Sequence, residues 1–169
     1  MKKIVFTVCC MAIAFSLVIP AASAGELRAG TAQVEITAPL GYPMGGYGAR
    51  IEGAKAVHDP LHARVVLLDD GSTSLAIISL DLVFFFSDRV IEEAKEKYGV
   101  DYVMESSTHT HAGPIPKVEG LLDLAEIMND PASLVNMAAF SRDPWYAATE
   151  DKIIEAIGRA RDTMFAARI

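Results

Sequence analysis

LHARVVLLDDGSTSLAIISLDLV, residues 61–83, holds two apolar runs, Leu61 to Asp69 and Ser74 to Val83, joined by Asp69-Asp70-Gly71-Ser72. An Asp-Gly pair between such runs is a strong hairpin signal, because glycine enters the left-handed backbone region without steric cost. Both runs read as buried strands. Beyond them, Ser87 fits an N-cap, Ile91, Ala94 and Lys95 carry a helix to Tyr98, and Gly99 closes it. Tyr102 to Ser106 is the next short strand. The order strand, strand, helix, strand predicts an α/β fold, with mixed β-sheets flanked by helices.

Upstream, Leu27 to Thr37 alternates loosely and is rich in Val, Ile and Thr, which suits a further strand ended by Pro39. Downstream, Leu121 to Met128 and Leu134 to Phe140 read either as short helices or as a long excursion over a site. Asp143-Pro144 then opens the clearest helix, an N-cap followed by proline in the first turn. Ile153, Ile154, Ile157, Ala160 and Met164 line one of its faces. The lone tryptophan, Trp145, is expected to pack at its start. Ala166-Ala167-Arg168-Ile169 looks like the opening of another strand, so the sequence reads as the incomplete N-terminal part of a larger catalytic domain.

Residues 1–24 stand apart. Lys2 and Lys3 precede an apolar run from Ile4 to Ile19, and Pro20-Ala21-Ala22-Ser23-Ala24 ends in the small-x-small pattern that a signal peptidase cuts. Export to the periplasm or the extracellular space is expected, with cleavage after Ala24. Both cysteines, Cys9 and Cys10, lie in that segment, so residues 25–169 contain no disulfide and no thiolate ligand. Losing the two lysines moves the formal charge from −7 to −9. This acidity argues against nucleic acid and against electrostatic docking on anionic lipid, leaving transient apolar contact with a membrane surface.

Two of the four histidines, His109 and His111, stand one residue apart, after a strand and before Gly113-Pro114. Imidazoles so spaced can converge on a metal such as zinc, or can hydrogen-bond within a polar turn. The residues alone leave both readings open. Asp81 interrupts an apolar run, where a carboxylate needs a partner. It either accepts a bond from a ligand imidazole or caps backbone amides at the strand's end. Either His58 or His62 could complete a metal site, although a structural role is expected of both. The segment from Gly41 to Gly48 is either a ligand-approaching glycine loop or a wide surface turn.

Several other signatures are missing, among them Gly-x-Ser-x-Gly, a phosphate loop and the helical His-Glu-x-x-His pair. A metallo-β-lactamase pattern needs Asp and His after His-x-His, where Gly113-Pro114 stands. An amidohydrolase barrel puts its His-x-His on the first strand, whereas several strands precede it here.

Four segments, in order, are similar to the neutral/alkaline non-lysosomal ceramidase family. Ala29-Gly30-Thr31-Ala32-Gln33-Val34-Glu35-Ile36-Thr37 resembles the family's opening Gly-x-x-x-x-Asp-Ile-Thr, with Glu35 where Asp is usual. Met44-Gly45-Gly46-Tyr47 resembles its Met-x-Gly-Tyr loop, and His58 to Arg64 the following segment. Ser106 to Pro114 resembles its Ser-x-Thr-His-Thr-His-Ser-Gly-Pro, although Ile115-Pro116-Lys117 follows where the family has Gly-Gly. The resemblance implies a zinc amidohydrolase acting on N-acylsphingosine or a related N-acyl lipid. It makes His109 a zinc ligand and His111 a neighbouring catalytic histidine, and it lines the substrate entrance with Gly45 and Gly46. It puts the other ligands (a His, a Glu and a Tyr) and a serine beyond Ile169, so these 169 residues carry the first part of a site and by themselves are expected to be inactive. The alternative is a degenerate or truncated exported binding domain without turnover.

Overall fold

The structure, a computed structural model, describes residues 25–47, 49–50, 52–115 and 143–168. Residues 1–24, where a signal peptide is expected, and the two stretches at 121–128 and 134–140 lie outside the described residues.

The hairpin forms as its sequence dictates. Strand β2 (His62–Asp69) pairs antiparallel with β3 (Ser74–Leu80). In the turn, Asp70 Oδ1 accepts from the Ser72 amide at 2.8 Å, the Ser72 hydroxyl at 2.7 Å and the Thr73 amide at 2.8 Å. These bonds hold the Asp70 carboxyl below its usual range, the Ser72 hydroxyl first among them. Gly71 has φ +85°, as expected of a left-handed turn residue. Strand β1 (Arg28–Glu35) pairs antiparallel with β2 on its other side.

Helix α1 (Asp88–Tyr98) starts at Ser87, whose hydroxyl accepts from the Val90 amide at 3.1 Å. It ends where Gly99, at φ +62°, lets the Gly99 and Val100 amides donate back to Lys95 and Ala94. This left-handed close satisfies the last carbonyls. The chain then enters β4 (Tyr102–Ser107), parallel to β3, so α1 is the crossover of a β-α-β unit. Helix α2 (Pro144–Asp162) is capped by Asp143, whose Oδ1 accepts from the Trp145 and Tyr146 amides at 2.9 and 3.0 Å. A two-residue strand, β5 (Phe165–Ala166), returns to pair with β1. The sheet order is β4-β3-β2-β1-β5, mixed and covered by two helices, which is the expected α/β class.

Alternation along the strands sets the core. Ala63, Val65, Leu67, Ala76, Ile78 and Leu80 point to the helices and are buried. They meet Ile153, Ile154, Ile157 and Ala160 of α2, the expected face. The opposite sheet face is open among the described residues, with Val66, Tyr102 and Met104 exposed. The two hairpin strands are therefore buried on one side. Strand β3 stops at Leu80, earlier than its apolar run, because Asp81 turns the chain and its amide donates to His62 O at 3.0 Å. The following phenylalanines divide: Phe85 is buried and stacked on Tyr146, whereas Phe86 is half exposed. Trp145 packs beside Tyr42 and donates from Nε1 to Ile36 O at 3.0 Å.

Gly30 marks the closest pass between layers. A Cβ there would lie 1.8 Å from the Ala160 carbonyl oxygen, and that oxygen belongs to helix backbone that cannot step aside alone. Gly30→Ala is expected to cost on the order of 1–3 kcal/mol, at the upper end, by prising α2 from the sheet. Urea unfolding checks this, and an unchanged midpoint would contradict the packing.

Candidate functional site

The site is built where the ends of β3 and β4 meet the glycine loop. The Thr108 amide donates to Leu80 O at 2.9 Å, extending the parallel ladder one step beyond β4. The chain then turns, and Met44 pairs with Pro114 across an antiparallel bridge. Gly45 N donates to Gly113 O at 2.9 Å and Ile115 N to Pro43 O at 3.1 Å, so the loop is bonded to the histidine turn along its length.

The two glycines are there for close approach. A Cβ on Gly45 would meet Ile115 Cγ2 at 2.5 Å and Val83 Cγ2 at 2.8 Å. On Gly46, which has φ +97°, it would meet the His111 ring at 2.3 Å. Gly46 therefore lets the backbone lie against the His111 ring, and Gly45 lets it lie against Ile115 and Val83. The Tyr47 ring stands edge-on to His111 at 4.8 Å between centroids. Arg50 locks the assembly, donating from Nη1 to Gly45 O at 3.0 Å and to His111 O at 2.8 Å while its guanidinium sits 4.8 Å over the Tyr47 ring. Nothing in the local sequence marks Arg50, because the two carbonyls it joins are far apart in the chain.

His109 and His111 face each other, their ring centroids 5.1 Å apart and their planes at 68°. His109 has φ +58°, the one non-glycine residue with positive φ among those described. That left-handed conformation costs an L-residue roughly 1–2 kcal/mol, and such strain concentrates at functional sites. Its Nδ1 lies 3.0 Å from Val83 O. A carbonyl only accepts, so Nδ1 carries the hydrogen and Nε2 keeps its lone pair. A metal-ligating histidine is held the same way, with its second nitrogen donating to a carbonyl.

Asp81 is engaged elsewhere. Its Oδ2 accepts from the His62 amide at 3.0 Å and from Arg64 Nη1 at 2.9 Å, the capping alternative. Val83 O holds the His109 ring, the part that a ligand-orienting carboxylate would have played. A backbone carbonyl leaves no mark in the sequence. Asp81 instead lines a cleft of about 530 Å³ with His58, Arg64, Thr108 and Thr110, a cleft that His109 and His111 do not line. His58 is exposed and paired with Asp59 at 2.7 Å, and His62 contributes its backbone to the Asp81 cap.

The imidazole pair offers two nitrogen donors for a metal. Among the described residues no group of three or more His, Cys, Asp or Glu comes together that could hold one. The donor chemistry and the His109 tautomer fit zinc as the first part of a ligand set.

No family model matches the sequence. Among solved structures, the fold is similar to the neutral ceramidase from Pseudomonas aeruginosa, with a TM-score of 0.63 and 22% identity over 83% of this chain. It is also similar to a ceramidase complexed with C2, with a TM-score of 0.62 and 22% identity over 83% of this chain. The chain spans 22% of the length of each. The fold is thus ceramidase-like, shared with a part of those larger proteins.

Proposed function

We propose that this chain is the N-terminal portion of an exported, ceramidase-like zinc amide hydrolase, with residues 1–24 as its signal peptide. Its substrate class is an N-acyl lipid such as ceramide. The observation that carries the reading is the His109 ring, held by Val83 O so that Nε2 is presented beside His111. The likeness to ceramidase structures supports it.

His109 would hold zinc through Nε2, joined by ligands from outside these residues. Zinc, when bound, supplies Lewis acidity toward an amide carbonyl and lowers the pKa of water to about 7. The protein's own groups do the rest. Val83 O keeps the His109 tautomer fixed. His111, braced by Gly46 and Tyr47, carries a proton to or from the amide on that side of the site. Gly46, exposed beside His111, would form the wall against which the substrate enters, with the buried Gly45 behind it.

A second reading, an exported binding domain without turnover, is favoured by the bare pair of histidines among the described residues. The two separate on the full-length gene product, purified and assayed for zinc and for release of fatty acid from labelled ceramide. The enzyme reading expects about one zinc per chain and turnover that stops on chelation and returns with added zinc. Zinc-free protein, or turnover that survives chelation, would overturn it.

A further inference from the structure

Seven residues, Asp81 to Ser87, connect β3 to α1, and the stretch from Val83 to Ser87 is tied at both ends. At its start Val83 O receives the His109 ring nitrogen at 3.0 Å. At its finish the Ser87 amide donates to Glu105 Oε2 at 3.1 Å, and the Ser87 hydroxyl donates to Glu150 Oε1 at 2.6 Å. Between them, the Phe86 amide and carbonyl both bond the Tyr146 hydroxyl. Glu105 stands in β4, opposite Ile78 of β3 and four residues before His109. The strand that leads into the histidine turn thus carries a carboxylate gripping the loop on which His109 leans.

We propose that Glu105 is a positioning residue: through Ser87 it holds the β3–α1 loop so that the Val83 carbonyl fixes the His109 ring. Three observations support this. Glu105 lies on the helix-facing side of an edge strand, where a hydrophobic side chain would pack as well, and its Oε1 is buried without a partner among the described residues. A carboxylate kept in such a place at a desolvation cost has a use beyond packing. Its other oxygen meets the amide of the α1 N-cap residue, the point from which the loop's path is set. Between that point and Val83 the chain is held by the Tyr146 hydroxyl at the Phe86 backbone and by the buried Phe85. The meaning of this device for catalysis rests on the zinc reading of His109; the linkage does not.

The test reads the tautomer of His109 by ring ¹⁵N shifts in the metal-free full chain at pH 8.5, where imidazoles are neutral. The wild type is expected to be mainly Nδ1–H. Glu105→Ala should shift His109 toward Nε2–H at least threefold, and Glu105→Gln, which keeps an acceptor oxygen, should restore the wild-type ratio. His58, exposed and paired with Asp59, is the internal control. Should Glu105→Ala fail to fold, Glu105→Asp withdraws the acceptor by one methylene while keeping the charge, and the same shift is expected. An unchanged His109 ratio in a folded Ala or Asp variant overturns the proposal. Because no metal is present, that failure is distinct from failure of the zinc reading, which shows only in the metal content.

Discussion

His109→Gly in the full-length protein is expected to lose its zinc and more than 100-fold in turnover, yet to keep its stability within about 1 kcal/mol. The first part follows from its place: loss of an outer partner alone costs a metal site roughly 10–100-fold, and loss of the ligand costs more. The second part follows from backbone geometry. At φ +58° the histidine is in a region that glycine enters freely, so glycine removes a strain of roughly 1–2 kcal/mol. Against this, glycine adds roughly 0.5–1 kcal/mol of unfolded-chain entropy, and the bond to Val83 O, net about 1 kcal/mol at an exposed residue, is lost. The terms nearly cancel. Metal analysis and urea unfolding on one sample check both halves. Retained zinc with full turnover would reduce His-x-His to a polar turn.

That outcome bears on why parts of this molecule were legible in its sequence. The hairpin, both helix caps and the α2 core face follow from local rules: an Asp-Gly turn, Ser87 and Gly99 around α1, Asp143-Pro144 before α2. Each is settled within a few residues of chain. The pairing of Gly46 with His111 was legible only as a composition, since glycine announces close approach but not what approaches. Three features were out of reach because they join distant residues through backbone atoms. These are the Val83 carbonyl on His109, the Arg50 clamp on Gly45 and His111, and the Glu105 grip on Ser87. The end of β3 was missed for a related reason: Leu82 and Val83 continue the apolar pattern, and only the Asp81 cap on His62 shows the strand is over. Asp81, a carboxylate that its apolar setting leaves in need of partners, bonds Arg64 and a backbone amide.

Glu105→Gln is expected to stabilise the protein at pH 8 by up to about 3 kcal/mol and to leave it nearly unchanged at pH 4. Burial pushes the Glu105 carboxyl up from 4.5 to about 7, opposed by the Ser87 amide and reinforced by the charges of Glu150 on α2 and Asp88 on α1. Tyr146 of α2, whose own hydroxyl burial pushes upward, is uncharged and adds nothing at neutral pH. Arg89 of α1 turns its charge to Glu93, Glu150 and Asp151 rather than to Glu105. A folded-state value above the unfolded one means that the native protein holds this proton more tightly. Its contribution is therefore whole below about 4.5 and is lost as pH rises to about 7, beyond which the native state carries a buried charge. At about 1.4 kcal/mol per pH unit, that window corresponds to the figure above. Glutamine keeps the acceptor oxygen and cannot ionise, so the difference between variant and wild type isolates this one group. Urea midpoints at pH 4, 6 and 8 measure it. A difference that stays flat with pH would mean that Glu105 titrates alike in the native and unfolded states.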